Sequence, residues 1–198
     1  MSDTFASALW GLDYMHWWAL HRAAGINFHT GEVVAAADEN TPCFYAVFLP
    51  SARGYSIQPL GYAMKAFDLG GHGRIVPVRI AAASSPLNLT AYGVLSPGGE
   101  LYVTLINKEV GADARDAAVT INSKRAYSHV EMVRLEGPSD DISAKIGLAL
   151  GGRAIQDNGA WQGAWKGVKD RNKTGGFEID VPAHSAAILK FTSPAPVR

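Results

Sequence analysis

The chain has a single cysteine, Cys43, among 198 residues, so no internal disulfide can form and thiol usage says nothing about the redox compartment. Cys43 then reads as a small core residue. Neither charge is in excess, with 18 Lys+Arg against 18 Asp+Glu, and no net field draws the chain toward nucleic acid or an acidic membrane. No nucleic-acid partner is expected. The apolar stretch after Met1-Ser2-Asp3-Thr4 has no basic n-region and is cut by Asp13, His16 and His21, which argues against a signal peptide or a membrane span. A secretion signal of any parent protein would lie upstream. No Gly-x-Ser-x-Gly elbow, Walker loop or Cys-x-x-Cys pair occurs, and with them go the common sequence signals for acyl transfer, nucleotide binding and structural zinc. No cofactor is expected. The triplets Asn88-Leu89-Thr90 and Asn172-Lys173-Thr174 fit a glycosylation sequon, which carries meaning only in a eukaryotic secretory route.

What the chain does have is glycine (21), proline (10) and many short runs of β-branched and aromatic residues, the mark of a turn-rich β architecture. Its start departs from that pattern. Ser2 or Thr4 can cap a helix that runs to about Arg22, with Gly25 placed to close it in a left-handed conformation. Ala8, Leu12, Met15, Ala19 and Ala23 form one apolar stripe, and Trp10, Tyr14, Trp17 and Trp18 occupy much of the remaining circumference. A helix apolar nearly all round predicts burial on several sides. Ile26-Asn27-Phe28-His29 reads as a short strand, residues 30–41 as loop, and Cys43 to Phe48 as extended. Pro59 suits the first turn of a second helix, whose Leu60, Ala63, Met64 and Phe67 fall on one face. Gly70-Gly71-His72-Gly73 is a break, and a domain boundary is placed there, between residues 1–72 and 73–198.

Beyond it the period changes to two. Arg74 to Ser84, Leu87 to Leu95, Leu101 to Asn107, Ala117 to Ile121, Ser128 to Leu135, Phe177 to Val181 and Ala186 to Phe191 read as strands, enough for an antiparallel β-sandwich. Alternation sets Leu101, Val103 and Leu105 against Tyr102, Thr104 and Ile106, sending one set inward and leaving the other partly exposed.

Few residues offer chemistry. Glu32, Asp38 and Glu39 lie in a polar loop and Asp140-Asp141 follow Gly137-Pro138; solvation and turn formation account for both groups better than catalysis. His16 and His21 are five apart, point to different faces and cannot form the i, i+4 pair of a zinc helix, so no metal site is expected. Trp161 and Trp165 can stack on sugar rings beside Asn158 and Gln162. Four residues apart in a strand they share a face, where core packing is the better account.

Ser7-Ala8-Leu9-Trp10-Gly11-Leu12-Asp13-Tyr14, followed by Ala24-Gly25-Ile26-Asn27-Phe28-His29-Thr30-Gly31, resembles the last helix-strand unit of the barrel in glycoside hydrolase family 79, the β-glucuronidase and heparanase family. Tyr55 to Phe67 is similar to that family's final barrel helix, and Glu100 to Lys108 to a core strand of its C-terminal β-domain. Val133 to Pro138, Leu150-Gly151-Gly152 with Trp161 and Trp165, and Val181 to Ala187 continue the likeness along nearly the whole chain. The resemblance implies a mainly β fold, a sandwich preceded by an α/β remnant of a (β/α)8 barrel, from an enzyme that hydrolyses β-linked uronate glycans with retention. It also implies two catalytic Glu residues, one in an Asn-Glu pair; no Asn-Glu dipeptide exists here, so neither role passes to this chain and no catalytic residue is assigned. The expected partner is the missing N-terminal portion of the barrel, without which the surface around Trp10, Trp17 and Trp18 is expected to be an exposed apolar patch, with a uronate-containing glycan as possible ligand. Family members are often secreted or lysosomal. His29 would stand at the end of the last barrel strand, facing the cleft, and Tyr45 is similar to an aromatic residue that touches the uronate. Packing remains open for Tyr45 and is preferred for His29. Two other functions stay in view, a stand-alone carbohydrate-binding module using Trp161 and Trp165, and one half of a two-chain glycosidase.

Overall fold

A computed structural model describes residues 3–28, 45–51, 54–81, 86–138, 141–169 and 176–193. The fold is mainly β, with antiparallel sheets and two helices. Helix α1 (Phe5–Leu20) is followed by a hairpin of β1 (Phe48–Ser51) and β2 (Gly54–Ile57), then by helix α2 (Pro59–Gly70). Strands β3 (Arg74–Val76), β4 (Leu89–Leu95), β5 (Leu101–Asn107), β6 (Ala117–Ile121) and β7 (His129–Glu136) come next. The last are β8 (Ala149–Leu150), β9 (Lys166–Gly167), β10 (Phe177–Val181) and β11 (Ser185–Thr192). One large sheet has the order β3-β4-β5-β11-β7-β8, with β9 also on β7; a second layer consists of β10-β6.

β11 is the spine of the large sheet because it pairs along its length with β5 on one side and β7 on the other. Its side chains alternate between two cores. Ala186 and Ile188 meet Leu12, Leu60, Ala63 and Ala66 of the helices, while Ala187, Leu189 and Phe191 meet Phe177, Ile179 and Val181 of β10. Three layers result, helices, large sheet and small sheet. This corrects the expectation that one face of β5 stays partly exposed: Val103 and Leu105 are buried on one face and Thr104 and Ile106 on the other, which lies toward the helix-side core. Burying a Leu or Ile side chain contributes about 2 kcal/mol, so the helices stabilise that face as the second layer does the other.

The first helix is fixed at both ends by backbone. Phe5 and Ala6 donate their N–H groups to the carbonyls of Ala144 and Ile142, so donors that the helix cannot satisfy internally bond to a loop of the β region. At the other end Arg22, not Gly25, takes the left-handed conformation, with φ 64°. The N–H of Arg22 bonds to Ala19 and that of Ala23 to Trp18, which is a Schellman closure three residues earlier than the glycine suggests. Residues 26–28 form no strand, and Met64 is exposed while Leu60, Ala63 and Ala66 carry the contact. Gly11 lets α1 and α2 approach closely: a Cβ there would collide with the Leu60 side chain. Side chains on both sides of residue 72 thus share the helix-side core.

Candidate functional site

Asp13 of α1 and several other described carboxylates have structural partners. Asp13 on α1 reaches the large sheet, where it accepts from Thr90 Oγ1 at 2.6 Å, Tyr92 Oη at 2.8 Å and Lys108 Nζ at 2.6 Å. Burial opposes its charge, but bonds from Lys108, Thr90 and Tyr92 outweigh that and hold its carboxyl below the ordinary value. The same contact, after burial, pushes the Tyr92 phenol upward. Asp3 pairs with Lys145 at 2.6 Å, Asp68 with Lys65 and His72, and Glu109 with Arg115. Asp141 accepts the Ser143 N–H at 2.8 Å, a turn bond of the expected kind. These are anchors rather than poised acids. Glu32, Asp38, Glu39 and Asp140 lie outside the described residues. Among the described residues no cluster of three or more His, Cys, Asp or Glu is arranged to hold a metal ion.

The two helix histidines face different surroundings. His16 is fully buried, stacked on Tyr92 with centroids 4.9 Å apart and edge-on to Phe67. His21 is exposed, stacked on Trp17 at 3.8 Å with Nδ1 2.7 Å from the Trp17 carbonyl.

Tyr45 is exposed just ahead of the β1-β2 hairpin, and His29 lies outside the described residues. Trp161 and Trp165 do not sit in a strand. Trp161 instead donates its indole N–H to the Leu150 carbonyl at 2.8 Å, and Gly151 and Gly163 lie against its ring. Trp165 meets Tyr102 edge-on at 6.4 Å and, with Asp68, His72 and Lys190, lines a pocket of about 320 Å³. Both tryptophans pack against the helix-side core.

Among the described residues, α1 presents an exposed aromatic surface. Trp10, Trp17 and Trp18 are 51%, 44% and 37% exposed, and Trp10 stacks on Tyr14 at 4.8 Å. The exposed apolar patch expected around Trp10, Trp17 and Trp18 in the absence of the rest of a barrel is present: Phe5, Leu9, Leu12 and Met15 are covered, whereas the tryptophan side is open.

No protein-family model matches the chain, and no curated protein does. Solved structures do. A 4-O-α-L-rhamnosyl-β-D-glucuronidase from Fusarium oxysporum 12S, solved with Rha-GlcA, superposes with a TM-score of 0.68 at 15% identity, over 95% of this chain and 39% of that one. A GH51 arabinofuranosidase from Xanthomonas axonopodis pv. citri gives 0.50 at 18% identity, over 75% of this chain and 29% of that one. The chain spans well under half the length of either. At such identities the likeness concerns architecture alone, and the chain has a β-rich fold of the kind found in part of these glycosidases.

Proposed function

We propose that this chain is the C-terminal part of a retaining glycoside hydrolase of the family 79 type. On this reading residues 1–72 are the last helix-strand-helix unit of a (β/α)8 barrel, residues 73–198 are the sandwich that buttresses it, and the catalytic Glu pair belongs to the barrel portion outside these residues. The observation that carries it is the two-sided character of α1. One side packs on α2 and the large sheet, and the other presents Trp10, Trp17 and Trp18 to solvent. An apolar patch of that kind marks a surface made for a partner; the remaining barrel helices and strands would supply it. The residue matches at 7–14 and 24–31 and the likeness in fold to a glucuronidase support the same assignment. Tyr45 and His29 would then face the substrate cleft of the complete barrel, Tyr45 against a uronate.

Retaining hydrolysis needs two carboxyls about 5 Å apart across the sugar. The chain alone is expected to give no turnover of an aryl β-glucuronide. Co-expression with a polypeptide carrying the rest of the barrel is expected to give a stable complex that does turn it over. Hydrolysis by the isolated chain, abolished by substituting one of its own carboxylates, would overturn the assignment.

A further inference from the structure

The layers of the sandwich are unequal. Among the described residues β10-β6 is the only sheet opposite the larger β3-β4-β5-β11-β7-β8. Phe177, Ile179 and Val181 cover the middle of that sheet, sharing a core with Val103, Leu105 and Leu189. Toward β4 the same face opens into a cleft of about 850 Å³. Leu89, Ala91 and Leu101 line it from the large sheet, and Val119 and Ile121 from β6; all five are only partly buried although they belong to the inter-sheet core. The segment Pro77 to Ala81 closes the far side, with Val78 and Ile80 exposed.

The cleft has a second property that a simple apolar hole lacks. Every residue of β6 lines it, including Ala118 and Thr120, whose side chains are exposed on the outer face. Such a pattern places the edge of β6 at the cleft, and among the described residues that strand pairs with β10 alone. An edge carries a row of backbone donors and acceptors in search of partners. The lining also includes Arg79, Lys124 and Arg125 and, among the described residues, no acid.

We propose that the cleft takes an extended segment of another polypeptide as a third strand of the second layer, paired along the free edge of β6. Its alternate residues would be apolar and rest on Leu89, Ala91 and Leu101, and acidic residues between them would meet Arg79 and Lys124. A compact apolar ligand fits less well, because it would fill the floor but leave the β6 edge without hydrogen bonds; strand addition satisfies both at once. The inference rests on the cleft and not on the glycosidase assignment, so either can fail without the other.

The test titrates the intact chain with a synthetic peptide of its own residues 176–182, whose alternation β10 already lays along the opposite edge of β6. A neutral Val-Thr repeat of the same length and a backbone N-methylated form of each peptide serve beside it. Calorimetry reads binding, and hydrogen exchange reads the β6 amides. Saturable one-to-one binding with slowed exchange in β6 is expected, weakened about tenfold or more by N-methylation, which removes edge hydrogen bonds while sparing the side chains. Filling the floor by Ala91→Trp should weaken both peptides, and Lys124→Glu only the acidic one. Should Ala91→Trp not fold, the N-methylated peptides still decide. Failure of both unmodified peptides to bind, equal binding of the N-methylated forms, or protection away from β6 would each overturn the proposal.

Discussion

His16 is held between the Tyr92 and Phe67 rings with no hydrogen-bond partner for either ring nitrogen. Burial disfavours the imidazolium, the nearby charge of Asp13 works the other way, and the pKa falls from 6.5 to about 4. The unfolded chain therefore binds the proton first as pH drops. Stability should decline between about pH 6.5 and 4, by on the order of 3 kcal/mol when fully developed. Urea unfolding across that range measures it, and His16→Phe, which keeps the ring contacts, should flatten the slope; an unchanged slope would show that another group is responsible. Asp13 acts in a lower window. Its depressed pKa contributes stability above about pH 4 that is lost as pH falls further. At neutral pH, Asp13→Ala strands Lys108 and two hydroxyls, and a loss of about 2 kcal/mol is expected. A double-mutant cycle with Lys108→Met isolates the pair, and strict additivity of the two losses would contradict a direct coupling. Neither arrangement was legible beforehand, because the partners of Asp13 lie 77 to 95 residues away.

Among the elements, β5, β6 and β10 coincide with the ranges read from alternation, and β4, β7 and β11 differ by one or two residues. Period-two patterning survives there because each strand has a core on at least one face. Shorter pieces leave no such trace. β8 and β9 are two residues each, and the β1-β2 hairpin holds Pro50 within four residues. Period two also gave no warning that helices cover the second face of β5. The end of α1 shows a related limit, since glycine is the common left-handed residue and the chain instead places Arg22 there. A side chain in that conformation costs about 1 kcal/mol. Arg22→Gly is therefore expected to raise thermal stability by up to about 1 kcal/mol; a lower melting temperature would mean that the arginine makes a compensating contact. Gly73 is the opposite case, with φ 148° and a Cβ that would fall on the Leu95 carbonyl oxygen. Gly73→Ala should cost about 2 kcal/mol or more, read by the same melt.

At the scale of the molecule, α1 joins two surfaces of different kinds. Its inner side is tied to the large sheet through Asp13 and to the 142–144 loop through backbone bonds, so it stays folded without a partner on the other side. That other side then exposes three indoles at once, and the chain should associate as its concentration rises. Light scattering during size exclusion, with an apolar dye as a second readout, measures this. Replacing Trp10, Trp17 and Trp18 together by Gln keeps helix propensity and leaves Leu9, Leu12 and Met15 in place. The triple variant should be monodisperse, bind less dye and melt within a few degrees of the unaltered chain. Residual dye lost on Ala91→Trp would belong to the cleft beside β6 and not to the helix. A monodisperse unaltered chain with little dye binding would remove the reason for assigning that face to a barrel, and with it the main structural support for the glycosidase assignment.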